Sequence, residues 1–153
     1  MPATVHVQLD DVLTRREPPV ADPTAIRRLL QEAARAVLRI EHTADAELSI
    51  TLLDDDRIAA LHRRYLARDG PTDVIAFPLY DEGETVVGDI YIGADEAARQ
   101  AALHDVPVTE ELVRLAVHGV LHVLGHEHPA GDERVGSPMW RLQEEIVQQV
   151  VRR

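Results

Sequence analysis

Apolar and polar residues alternate from Val5 to Leu9 and again through Leu48-Ser-Ile-Thr-Leu52, the period of two that marks half-buried strands. Between them, Asp22-Pro23 opens a segment whose apolar positions Ile26, Leu29, Leu30, Ala33, Val37 and Ile40 recur at 3.6-residue spacing, which predicts a helix. Asp54 to Asp56 offers caps for a second helix carrying Ile58, Leu61 and Tyr65 on one face, and Asp69-Gly70-Pro71 is expected to end it. Val74 to Phe77 and Val86 to Ile92 read as two more strands, joined as a hairpin by the acidic loop Asp81-Glu-Gly-Glu84. Three further helices are expected: one over Ala94 to Leu103, one from Thr109 with Glu110 and Glu111 near its positive end, and one after Ser137-Pro138. This mixed order predicts an α+β fold, a four-stranded mixed sheet packed with about five helices, and the Glu17-Pro-Pro-Val stretch reads as a loop.

The 153 residues suit one domain spanning 1–153, large enough to bury a core without a disulfide or structural metal. A metal in such a chain is expected to do chemistry. Cysteine is absent, which excludes thiolate nucleophiles, zinc ribbons and iron–sulfur sites and suits a reducing compartment. No basic leader precedes an apolar stretch and nothing approaches a membrane span, so a cytoplasmic protein without a membrane partner is expected. A net charge of −11 argues against broad adhesion to nucleic acid, although all 16 basic residues are Arg, whose planar guanidinium suits phosphate and carboxylate. Tyr65, Phe77, Tyr80, Tyr91 and Trp140 are too scattered for an extended base-stacking platform.

Four of the eight histidines fall between Ala116 and His128. His118 and His122 are four residues apart in a segment that is otherwise apolar nearly all round, so the helix belongs inside the protein. Four residues turn a helix by about 400°, which stacks the two imidazoles one turn apart with the bite a zinc ion requires. Gly125 can end the helix in a left-handed conformation and let His128 return as a third ligand. The spacing H-x3-H-x2-G-x2-H is shared with a class of zinc peptidases, but their general-base Glu is here Gly119. Three histidines leave a position open for a metal-bound water, and hydrolysis is the chemistry that follows. His126 reads either as an exposed turn residue or as a support for the ligands, while His6, His42, His62 and His104 are left as surface or core residues.

His118-Gly-Val-Leu-His-Val-Leu-Gly-His-Glu-His128 resembles the signature H-G-x-L-H-L-x-G-Y-D-H of the YbeY family of bacterial rRNA maturation factors, metal-dependent single-strand endoribonucleases. Pro71-Thr-Asp-Val-Ile-Ala-Phe-Pro78 is similar to that family's P-T-[DN]-V-L-S-F-P, and Gly88-Asp89-Ile90 to its G-D-[IL]. The resemblance implies a zincin-like His-rich helix beside a four-stranded sheet, one catalytic Zn2+ per chain, and maturation of small-subunit (16S) rRNA with ribosome quality control. Three segments depart from it: His126-Glu127 stands where Tyr-Asp is usual, Ala76 replaces Ser, and Tyr65-Leu66 replaces Tyr-Arg. The last removes a functional Arg, since Leu neither donates a hydrogen bond nor carries charge.

The leading expectation is thus an endoribonuclease with His118, His122 and His128 as metal ligands, a metal-bound water as nucleophile, and Glu127 or Asp89 orienting it. Arg57, Arg64 and Arg68, clustered on a helical wheel, are the candidate RNA-binding residues; the alternative is that they solvate an outer helix face. RNA is the expected partner, with the small ribosomal subunit or an assembly GTPase as further ones, and no DNA. The competing reading is a ribosome-assembly factor with a mainly structural zinc, which the loss of Arg at Leu66 favours. A peptidase rests on ligand spacing alone.

Overall fold

The computed structural model describes residues 3–16 and 22–152; the Glu17-Pro-Pro-Val segment lies outside them. Its strands are β1 (Thr4–Leu9), β2 (Ala46–Leu53), β3 (Val74–Pro78) and β4 (Val86–Gly93), and its longer helices are α2 (Pro23–Ile40), α3 (Asp55–Leu66), α4 (Ala94–His104), α5 (Val108–Val123) and α6 (Pro138–Val151). A four-residue helix α1 (Asp11–Thr14) and a 3-10 turn (Gly131–Arg134) are additions that sequence periodicity is too short to reveal. The sheet order is β1-β2-β4-β3, with β1, β2 and β4 parallel and β3 antiparallel to β4, so the expected hairpin forms one edge. The fold is the mixed α+β class the pattern predicted.

Register explains which face is buried. Val5 and Val7 pair with Leu48 and Ile50, which pair in turn with Gly88 and Ile90, so one face is apolar across three strands. Leu48, Ile50, Ile90 and Ile92 are almost fully buried, each contributing about 1.5–3 kcal/mol of burial free energy. The helix predicted from Asp22-Pro23 forms as expected: the Asp22 carboxylate accepts from the Ala25 amide, and Ile26, Leu30, Ala33 and Val37 turn inward. It packs against β1, α5 and α6.

The central element is α5, which touches the sheet, α2, α4 and α6 and buries residues all round its circumference. Two glycines let it lie close to β4. A Cβ on Gly119 would stand 2.6 Å from Ile90 Cγ2, and one on Gly88 would stand 2.5 Å from Val123 Cγ1. The opposite sheet face carries Thr4, His6, Gln8, Glu47 and Ser49; α3 reaches it at β2 and β4, and Tyr65, Phe77 and Tyr91 meet there edge to face. Helix α3 ends at Leu66 with Ala67 left-handed at φ 52°, earlier than Asp69-Gly70-Pro71 suggested, and leaves Tyr65 and Leu66 half exposed.

Candidate metal centre

The last two turns of α5 carry His118 and His122, and the loop behind them returns His128. Gly125 makes the reversal in the left-handed region, φ 98°, as its place in the motif predicted. The Tyr80 hydroxyl donates to the Val123 carbonyl over 2.7 Å and anchors the helix end. Ligand nitrogens of His118, His122 and His128 converge within 4.8 Å of one another, and their ring centroids are 4.5–5.1 Å apart.

The other nitrogen of each ring settles its orientation. His118 Nδ1 donates to Gln143 Oε1 at 2.6 Å, His122 Nδ1 to the His126 carbonyl at 2.9 Å, and His128 Nδ1 to the Pro129 carbonyl at 2.8 Å. A carbonyl oxygen only accepts, so each Nδ1 carries the proton and each Nε2 is left with a lone pair. His118 Nε2 and His122 Nε2 then face each other at 3.0 Å with no proton between them. Two lone pairs so placed repel unless they share a cation. Bonds of about 2.0–2.1 Å to a tetrahedral ion would set such nitrogens roughly 3.3 Å apart, so the donor set fits zinc.

Burial favours the same state. It drives the His118 imidazole down to about 4, with Gln143 opposing and the neighbouring His122 and His128 adding to the fall. His122 is lowered by burial as well, so both rings are neutral at pH 7, the form that can hold a metal.

The histidines sit in a cleft of about 580 Å³ between β3, α4, α5 and the start of α6. Asp73 and Ala76 line it from β3 and the turn before it, His104 from α4, and Arg134, Trp140 and Gln143 from the C-terminal region. One carboxylate of this wall, Asp73, accepts from its neighbour's Val74 amide at 2.8 Å and from Gln100 at 3.3 Å. Arg114 is tied to Glu144 (2.8 and 2.9 Å), Glu111 (2.9 Å) and Glu110 (3.3 Å). Burial would raise the Glu144 carboxyl, but Arg114 and Gln143 hold it below the ordinary range. Arg134 makes no side-chain hydrogen bond or ion pair with any other described residue. Sequence reading missed Asp73, His104, Arg134, Gln143 and Glu144; only Asp73, in Pro71-Thr-Asp, stood in a recognised motif.

Two groups of expected site residues lie away from the histidines. Asp89 pairs with Phe77 and Ser49, one residue out of phase with Ile90, so it points to the sheet face away from α5 and cannot reach the histidines. Arg57, Arg64 and Arg68 do not form a uniform free patch. Arg57 lies 2.5 Å from the fully buried carboxylate of Asp10 and Arg64 stands over the Tyr65 ring, and none of the three lines the cleft. Glu127 is exposed outside the cleft wall, though its charge is felt at His122. The open question at His126 resolves towards support: its carbonyl holds His122, and its ring pairs with Glu41 at the end of α2.

The peptidase alternative fails on packing as well as sequence. The position that would carry its general base is Gly119, buried against Ile90, where a Glu side chain would have to displace Ile90.

Fold and site together define an α+β protein with a three-histidine group able to hold a metal ion, set in a cleft at the antiparallel edge of its sheet. The chain belongs to the YbeY family: the family model described as Endoribonuclease YbeY matches residues 13–151. A relative from Syntrophotalea carbinolica, named Endoribonuclease YbeY, is 42% identical over 76% of this chain and 81% of its own length. Another of that name from Geobacillus kaustophilus is 38% identical over 94% of this chain and 95% of its own. A solution structure from Thermotoga maritima shares the fold with a TM-score of 0.66, at 22% identity, over 96% of this chain and 89% of that one.

Proposed function

We propose that the protein is a zinc-dependent, single-strand-specific endoribonuclease acting in 16S rRNA maturation and ribosome quality control in the cytoplasm, with residues 1–153 as one hydrolase unit. The observation that carries this reading is the trio His118, His122 and His128, whose Nδ1 protons are all committed to oxygen acceptors so that three lone pairs converge in a chain of this family. When bound, a zinc ion there supplies Lewis acidity and an activated water. The residues do the rest: His118 and His122 stay neutral, the three rings are held by their Nδ1 hydrogen bonds, Trp140 offers one base a stacking face in the cleft, and Arg134 offers a phosphate a free guanidinium. Arg64 and Arg68, exposed on and just after α3, draw the flanking RNA backbone, and of the two carboxylates expected to move a proton, Glu127 and Asp89, Glu127 is the one whose charge reaches His122. The ribosomal small subunit and an assembly GTPase are the proposed further partners.

The test is incubation of zinc-loaded protein with single-stranded and structured RNA beside a His122→Ala control. Cleavage of the single-stranded RNA alone, lost in the control, is expected. Equal cleavage by wild type and control would overturn the reading. A second reading, an assembly factor with a mainly structural zinc, is favoured by one observation: Leu66, in the place of the family's Arg, is half exposed and can hold no phosphate. It takes the lead if wild type is inactive and Leu66→Arg restores cleavage.

A further inference from the structure

We infer that Gln143 is a positioning residue for the metal centre, one that fixes His118 in the tautomer presenting Nε2 to the ion, and that Glu144 and Arg114 hold Gln143 in the orientation this requires. The inference rests on the metal reading above and extends it to Gln143, 25 positions from His118 in sequence. Gln143 is buried, 6% exposed, and its amide has two neighbours of opposite demand. Its Oε1 accepts from His118 Nδ1 at 2.6 Å, while its Nε2 donates to Glu144 Oε2 at 3.1 Å.

An amide can flip, and a flip here would turn NH2 towards His118. The ring would then have to accept at Nδ1 and carry its proton on Nε2, where the ion must bind. The Glu144 carboxylate forbids this, because it only accepts and so must face NH2 rather than the amide oxygen. Glu144 is itself held ionised and in place by three hydrogen bonds from Arg114, whose guanidinium also reaches Glu110 and Glu111. The chain of constraint runs from Arg114 to Glu144 to Gln143 to His118. An amide oxygen also orients the ring without adding negative charge next to the ion, which preserves attraction for an anionic phosphodiester.

The test uses full-length metal-free protein labelled with 15N on histidine, followed by cobalt titration against a competing chelator. In wild type, His118 is expected as a single tautomer protonated on Nδ1. In Gln143→Met, which keeps the bulk and removes the acceptor, His118 should show mixed tautomers, cobalt should bind about 10- to 100-fold more weakly, and its visible absorption bands should shift. Gln143→Glu should restore the single tautomer and bind cobalt at least as tightly as wild type. Unchanged tautomer and affinity in a folded Gln143→Met protein would overturn the inference. Should that variant not fold, Glu144→Met, which removes the acceptor of the Gln143 NH2 without touching His118, decides it: mixed tautomers support the chain and a single Nδ1-protonated tautomer breaks it. Failure of wild type to bind cobalt would overturn the metal reading, whereas the metal-free tautomer reports on Gln143 alone.

Discussion

The two faces of the sheet use the same four strands for opposite purposes. On the α5 face, Val5, Val7, Leu48, Ile50, Ile90 and Ile92 form an unbroken apolar floor, and Gly88 and Gly119 let the metal helix lie against it. On the α3 face, one residue out of phase, Thr4, His6, Gln8, Glu47, Ser49 and Asp89 meet solvent or a thin aromatic cover. Polar chemistry concentrates at the edge of the dry face. Burial lowers His118 and His122 and favours their neutral form, the form in which an imidazole can hold a metal, while Arg64 and Arg68 on the wet side are exposed to solvent.

That contrast can be broken at the dry face first. His118→Ala, His122→Ala or His128→Ala should each weaken zinc binding by at least about 100-fold, roughly 3 kcal/mol, read by chelator competition with elemental analysis of the purified protein. Acidification sharpens it. Because the folded His118 titrates at about 4 against an ordinary 6.5, the unfolded chain binds more protons between those values and metal-free stability falls as pH drops through that window. The loss attributable to His118 between pH 7 and pH 5 should be about 2 kcal/mol, seen as the difference between wild type and His118→Gln in urea melts at both pH values. Gly119→Ala should cost about 1–3 kcal/mol in the same melts, because its Cβ collides with Ile90.

Changes on the wet face should be milder and depend on salt. Arg64→Glu with Arg68→Glu should weaken RNA binding several-fold at low salt, lower the log–log salt slope by about one or two units and leave zinc content unchanged. An unaltered slope would reduce these arginines to a solvated helix face. The smallest effect belongs to Asp89→Asn, which should leave zinc affinity within about twofold of wild type; a large loss there would mean that the strand register is misassigned.

Legibility in the sequence followed the range of the interaction. The strands, the five long helices and the turn at Gly125 all rest on neighbours within a few residues, and periodicity or a glycine reports them. The convergence of His118 and His122 is equally local, one helical turn. Gln143, Arg134 and His104 reach the cleft only because α6 and α4 pack on α5, and no spacing along the chain encodes that. Asp89 was a different kind of miss. Its parity was available in Gly88-Asp-Ile-Tyr-Ile92, where the inward positions are even-numbered, but the shared motif drew attention to the residue type rather than to the direction of the side chain.

The pairing of His126 with Glu41 gives the ligand loop a second mooring, to the end of α2 as well as to α5. Opening the loop far enough to release an ion therefore entails parting it from an element that packs against the far side of the core. Fluctuations of the two should be synchronised, so that amides in the final turn of α2 and those following Gly125 exchange with solvent as one cooperative unit. Occupancy of the histidines would then slow exchange at Ile40 and Glu41, remote in sequence from every ligand, and the protection would vanish in Glu41→Ala while the ligands themselves remained in place.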